Sequence, residues 1–194
     1  MPDRPRTDAP PPVPTPWRPS VFAAEFWGVL VLGAAVVALA VAGLVGADGA
    51  SRPVALLALV ALVVFGELRP VVTTRSYGEG TTPSIAFTFA ILFVWGPWPA
   101  ILAQAVASVV ADASARKAWW RTAVNPAQYA ISFLLAWGAM AATGYRAAPD
   151  ALHSIQASDV WAMVLAWLVY FMANNAIVSS LLAAYAGERY SDVF

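Results

Sequence analysis

Residues 81–112 read TTPSIAFTFAILFVWGPWPAILAQAVASVVAD, and the fold turns on how this stretch is divided. No charge interrupts it from Thr81 to Ala111, 31 consecutive positions. A helix needs about 20 apolar residues to cross roughly 30 Å of hydrocarbon, so the stretch is long for one span and short for two. At its centre stands Gly96-Pro97-Trp98-Pro99. Two prolines and a glycine break a helix, because proline lacks the N–H and its ring collides with the preceding turn. The stretch is therefore one kinked span or a tight hairpin of two short ones. Ser84–Trp95 alone would rise only about 18 Å as helix. Such a span is tolerated where neighbours bury it or where it lines a cavity, so an internal pocket is expected.

Similar apolar runs lie on both sides. Phe26–Gly46 has no charge over 21 residues and is the most secure span. The next run starts at Pro53 and soon meets Glu67 and Arg69. It spans only if Gly66–Pro70 (GELRP) lies inside or at the edge of the bilayer. Later spans fall at Thr122–Ala142 and Val160–Gly187. Composition agrees. The 194 residues are 60% hydrophobic and 11% charged, with mean hydropathy +0.67. A soluble domain carries about 25% charged residues, so an ordinary soluble enzyme is excluded. Zero net charge offers no global basic surface for nucleic acid. Cysteine is absent, which removes disulfides, thiolate metal sites and cysteine nucleophiles. His153, the single histidine, cannot build a multi-histidine metal site and reads as solvated in a short external loop. No metal or cofactor is expected. HExxH, GxSxG and P-loop patterns are missing, and Ser179 and Ser180 have no histidine nearby, so chemistry within this chain is not expected either.

Charge placement decides between five spans and six, because cytoplasmic loops gather Lys and Arg. With six spans and the amino terminus inside, the inner side holds Arg4, Arg6, Arg18, Arg69, Arg75, Arg116, Lys117, Arg121 and Arg189, and the outer side only Arg52 and Arg146. That is nine against two. With five spans the split becomes six against five. The expectation is an all-α, polytopic six-span bundle with short, broken third and fourth spans, in the cytoplasmic membrane, with both termini cytoplasmic. Residues 1–20 form a proline-rich tail that cannot bury a core. Residues 21–187 form the membrane domain, and 188–194 start a cytoplasmic tail or linker. Trp95 and Trp98 would form an outer aromatic belt, and Trp119 and Trp120 an inner one.

Polar residues inside spans are costly and face the bundle interior. Here they form stripes. Gln104, Ser108 and Asp112 are spaced four apart; Asn125, Gln128 and Ser132 share a face of the fifth span; Asn175 and Ser179, with Tyr170 and Asn174 beside them, mark the sixth. Each has a plain reading as interhelical glue, worth about 0.6 kcal/mol. Asp112 could pair with Arg116 one turn on, and Glu67 could cap a helix end. Taken together, Glu67, Arg69, Asp112, Asn125, Gln128, Asn174 and Asn175 read as a ligand-binding or signal-coupling cluster, mostly toward the inner leaflet. Ala34, Ala38 and Ala42 recur every four residues on the first span, behind Gly28, as a helix-packing face.

From Gly66 to Gly138 the chain resembles the MASE-type bacterial membrane sensor domains. These sit in front of the cyclic-di-GMP domains GGDEF, EAL and HD-GYP. The residues that carry the resemblance are Glu67, Pro70, Ser84, Gly96, Pro97, Asp112, Asn125 and Gln128, with Ala173-Asn174-Asn175 in the last span. The resemblance implies a sensory module that passes a membrane or small-molecule signal to a cytoplasmic output domain. The chain departs from that pattern in stopping at Phe194 without such a domain, and AGERYSDVF reads as the start of a linker. Expected partners are the bilayer, a second copy of the chain, and an output domain. Six short spans behind an Ala-xxx-Ala helix are also similar to the substrate-binding S components of vitamin transporters. In that case Ala34 and Ala38 would face a coupling subunit. A small structural membrane protein is the third reading.

Overall fold

The computed structural model describes residues 19–46, 53–69, 82–147 and 156–186. Within them the chain is entirely helical, with six helices and no strand: α1 (Pro19–Val45), α2 (Pro53–Leu68), α3 (Ser84–Trp95), α4 (Pro97–Ser114), α5 (Trp119–Ala142) and α6 (Ala157–Ala186). Residues 1–18 of the proline-rich tail, His153 and segment 188–194 lie outside the described residues, while Pro19 and Ser20 already belong to α1.

The central stretch is a hairpin. Gly96 alone separates α3 from α4, at φ 85° and ψ −169°. A side chain would be strained at that positive φ. The Gly96 N–H closes α3 on the Leu92 carbonyl at 3.0 Å. Pro97 follows at the first position of α4, where its missing N–H would have had no helical partner.

α4 is the hub, packed against α1, α2, α3 and α5; α5 in turn meets α1 and α6, and α2 pairs with α3. The core between them is filled by Ile91, Leu92, Ile101, Phe133 and Met140. Phe89, Phe133 and Tyr170 bring α3, α5 and α6 together, with ring centroids 4.6–5.3 Å apart.

Side-chain contacts fix the direction of the helices. At one pole Trp98 covers Gly43, and the Tyr145 hydroxyl donates to the Phe93 carbonyl at 2.9 Å. The ends of α1, α3 and α5 thus meet the start of α4. At the other pole Phe22 and Phe26 from the start of α1 meet Trp120 and Trp119 from the start of α5, and Trp120 stacks on Tyr185 near the end of α6. Gly66 abuts the Ser84 backbone there, joining the end of α2 to the start of α3. The first and last helices therefore begin and end at the same pole.

One sequence expectation about packing needs correction. The packing face of α1 is not Ala34, Ala38 and Ala42, all three of which are exposed. It is Gly33, Val36, Ala40 and Gly43. A Cβ on Gly33 would stand 2.3 Å from the Ala127 Cβ, so α1 and α5 cross with no room even for alanine. The helix turns Gly33 and Gly43 inward, because they permit a closer approach than alanine does. Trp95 and Trp98 flank the Gly96-Pro97 turn at the pole opposite Trp119 and Trp120, each half-buried against the core.

The outer faces of α1, α2 and α6 are apolar, with Trp27, Val31, Leu57, Phe65, Trp161 and Trp167 among their exposed residues. Val21–Val45 and Ala157–Tyr185 are long and apolar enough to cross a membrane; α2 and α3 are apolar but shorter. The less apolar α4 and α5 occupy the middle.

Candidate functional site

The polar stripe of α4 is buried along its whole length: Gln104, Ser108 and Asp112 are each at most 2% exposed. It does not serve one cluster. Gln104 and Asp112, two turns apart, anchor two separate networks.

The first network joins α2, α3 and α4. Gly66 lets the end of α2 touch the start of α3, which brings the Glu67 carboxylate to the Ser84 hydroxyl. Ser84 Oγ donates to Glu67 Oε2 in a short hydrogen bond. Gln104 Nε2 donates to the same oxygen at 3.2 Å. Gln104 Oε1 accepts from Thr88 Oγ1 at 2.6 Å, and Thr88 also lies 3.0 Å from the Ser84 carbonyl. Ser84 has one hydroxyl proton, committed to Glu67. Its contact with Thr82 Oγ1 at 3.1 Å is therefore made by the threonine proton. Ser84, Thr88 and Gln104 are fully buried. The sequence signal for Thr88 was available, since Ser84 and Thr88 are the two hydroxyl residues of an otherwise apolar helix and are spaced four apart.

The second network closes α4 onto α5. Asp112 Oδ2 accepts from Asn125 Nδ2 at 2.6 Å, and Oδ1 pairs with Lys117 Nζ at 2.6 Å. The partner is Lys117 and not Arg116. The reason is the helix end. Lys117 N–H reaches back to the Asp112 carbonyl at 3.0 Å and Arg116 N–H to that of Ala113 at 3.1 Å, with Arg116 at φ 52°. This is a Schellman closure with arginine at the position that glycine usually takes. It reverses the chain, so that Lys117 lies over the end of α4.

The remaining residues of the expected cluster stay apart. Arg69 is exposed, with no pairing to Glu67 among the described residues. Gln128 is buried but joins neither network. Asn175 Nδ2 bonds back to the Phe171 carbonyl of its own helix at 2.8 Å, an ordinary way to satisfy a polar side chain in a helix. Asn174 Oδ1, Ser132 Oγ and the Tyr170 hydroxyl are buried without a hydrogen-bond partner. Tyr170 is 3% exposed, its ring packed against Phe89 and Phe133.

An apolar groove of about 370 Å³ opens between α3 and α6, lined by Ile85, Phe89, Phe93, Met163 and Trp167 among others. Among the described residues no group of three His, Cys, Asp or Glu could hold a metal ion. The chain matches no family model, and neither a curated protein nor a solved structure shows significant similarity to it.

Proposed function

We propose that the chain is a six-span bundle of the cytoplasmic membrane, with both termini cytoplasmic, that senses a membrane or small-molecule signal and passes it to a cyclic-di-GMP output domain. The observation that carries the reading is the Glu67–Ser84–Gln104–Thr88 network. It is a continuous polar connection across three helices inside a bundle with an apolar exterior. In hydrocarbon such groups are expensive, and they are characteristic of sites that bind or switch. α4 carries both networks on one rigid helix. A change at Gln104 therefore shifts Asp112 and, through Asn125, the starts and ends of α5 and α6. The apolar outer faces support the bilayer, and among the described residues Arg69, Arg116, Lys117 and Arg121 lie toward the pole where α1 starts and α6 ends, with Arg146 at the other. The MASE-type resemblance supplies the output class.

Two measurements test this. The chain has no cysteine, so single cysteines at Ser114 and Arg146, on opposite poles, report sidedness by labelling with a membrane-impermeant thiol reagent. Only the cysteine at position 146 should label from outside. For signalling, the chain is fused at Phe194 to a GGDEF cyclase. Gln104→Leu should shift cyclic-di-GMP output by about fivefold or more, the lower end of ordinary coupling between sites. Unchanged output from Gln104→Leu and Ser84→Ala fusions that still insert would defeat the sensory reading.

One observation favours the second reading, an S-component-like substrate-binding subunit. The row Ala34-Ala38-Ala42 is turned outward, where a partner helix could approach closely. Co-purification with a coupling subunit, lost in Ala38→Leu, would support it over the sensor.

A further inference from the structure

The corner between α4 and α5 reads Arg116-Lys117-Ala118-Trp119-Trp120-Arg121. Three basic residues and two indoles thus share six consecutive positions at the pole where α1 starts and α6 ends. Arg116, Lys117 and Arg121 are exposed, whereas none of the four described acids, Glu25, Glu67, Asp112 and Asp159, is. Lys117 is already held by Asp112 at 2.6 Å, and neither arginine makes an ion pair among the described residues. The Arg121 N–H reaches the Ala118 carbonyl at 2.9 Å, so Arg116 and Arg121 flank one tight corner. The Arg121 guanidinium lies 5.1 Å over the Trp120 ring, which keeps it beside that corner. Arg116 holds φ 52° where glycine would close the helix without strain. No ion pair among the described residues offsets that strain, and a strained residue left exposed marks a site rather than a packing need. Trp119 is 71% exposed and meets Phe26 of α1 edge-on at 6.1 Å; Phe26 in turn meets Trp27, 59% exposed, at 5.4 Å. Trp27 and Val31, one turn further along, lie on the apolar outer face of α1. The basic corner therefore adjoins an aromatic ledge that runs into an apolar flank.

We infer that this corner is a docking surface for the headgroup of an anionic phospholipid. Arg116 and Arg121 meet the phosphate, whose oxygens suit the planar fork of a guanidinium. Trp119 and Trp27 cover the glycerol region, the level at which indole prefers to lie. The acyl chains follow the apolar flank of α1 past Val31. Only an amphiphile uses both halves of this surface. A free phosphate would engage the basic corner and leave two large indoles uncovered, and a zwitterionic lipid would set its own positive charge against the arginines. Lys117 contributes less, because Asp112 already neutralises it. Each free basic residue near a membrane surface is worth about fivefold in affinity for anionic lipid. Docking would brace the corner through which the Asp112 network joins α4 to α5. The inference rests on the proposed membrane bundle and gives it a lipid partner.

The test titrates the full chain, in micelles of neutral detergent, with phosphatidylglycerol or with phosphatidylcholine of the same acyl chains, and counts bound lipid by native mass spectrometry. The first phosphatidylglycerol should bind about 25-fold more tightly than phosphatidylcholine, about fivefold for each free arginine. Arg116→Gly and Arg121→Gln should each lower that preference about fivefold, and the double variant should abolish it. Arg116→Gly relieves the positive φ, so its thermal unfolding in neutral micelles should match or exceed that of wild type, which separates lost binding from lost folding. Arg146→Gln, at the other pole, should keep the full preference. Inorganic phosphate equimolar with the lipid should not displace it; displacement would assign a soluble phosphate and overturn the lipid assignment. Equal binding of the two lipids, or a preference that survives in the double variant, overturns the inference and leaves the bundle and its signalling standing. A chain that fails to float with lipid vesicles overturns both.

Discussion

Gln104→Glu is the sharpest probe of the buried network, because it changes one atom at a known distance. Gln104 Nε2 lies 3.2 Å from Glu67 Oε2, and its side chain is fully buried. The substitution places a second carboxylate oxygen where the amide donates. With both groups ionised, the repulsion at that separation is about 5 kcal/mol at an effective dielectric of about 20. The pair avoids it by holding one proton, at about 1.4 kcal/mol for each pH unit above its midpoint. At low pH the shared proton restores a hydrogen bond and the variant stands near wild type. As pH rises, the folded pair still holds a proton that the unfolded chain has released, and the variant loses up to about 4 kcal/mol between pH 5 and 8. Gln104→Leu is the uncharged control. It removes one long charge-assisted bond, while Thr88 falls back on the Ser84 carbonyl at 3.0 Å, so its loss is about 1–1.5 kcal/mol at every pH. Both are measured by denaturing titration of micellar protein at a series of pH values. If Gln104→Glu tracks Gln104→Leu from pH 5 to 8, the amide does not face Glu67 and the network is wrong.

Three other perturbations follow from local geometry. Gly33→Ala should destabilise by about 1–3 kcal/mol in the same titration, because α1 must move off Ala127, whereas Ala34→Val on the exposed face should stay within about 0.5 kcal/mol of wild type. Arg116→Gly should stabilise by about 0.5–1 kcal/mol by relieving the positive φ, with Asp112 still paired to Lys117. Tyr145→Phe should cost about 1 kcal/mol through the lost bond to the Phe93 carbonyl. Burial, and then Asp159, raise the Tyr145 hydroxyl above the usual tyrosine range. Its contribution is thus fully present below the unfolded tyrosine value and is lost as pH rises through the folded one, so wild type and variant should converge only in strong alkali.

What could be read from the sequence was what depends on spacing along one helix. The Gly96-Pro97 break needs no tertiary information, since proline and a positive φ enforce it locally. The α4 stripe needed only a four-residue period, and all three of its members are buried as expected. What depends on rotation or on partners was not legible. Periodicity gave α1 an alanine row, but the bundle selected the glycine row beside it, because only the facing Ala127 reveals how close the helices come. Asp112 had Arg116 at helical spacing, and the Schellman closure moved the pairing to Lys117 by ending the helix first. The cluster of seven residues presumed that one leaflet meant one site.

The division into two networks constrains the mechanism more than a single cluster would. Glu67, Ser84 and Gln104 tie α2, α3 and α4 together, while Asp112, Asn125 and Lys117 tie α4 to α5 at the pole. Pro126 follows directly after Asn125 and removes the backbone bond to the Thr122 carbonyl, so the start of α5 is the weakest turn of that helix. Trp120 on that turn stacks against Tyr185 near the end of α6. In the proposed sensor, a signal at Glu67 would have a stiff element, α4, to move and a compliant one, the first turns of α5, to receive the movement. Spatial succession alone does not demonstrate coupling. A double-mutant cycle between Gln104→Leu and Asn125→Ala decides it. The two sites share no hydrogen bond, so an interaction energy above about 0.5 kcal/mol between them requires that α4 transmits strain. Strict additivity would leave two independent pieces of glue.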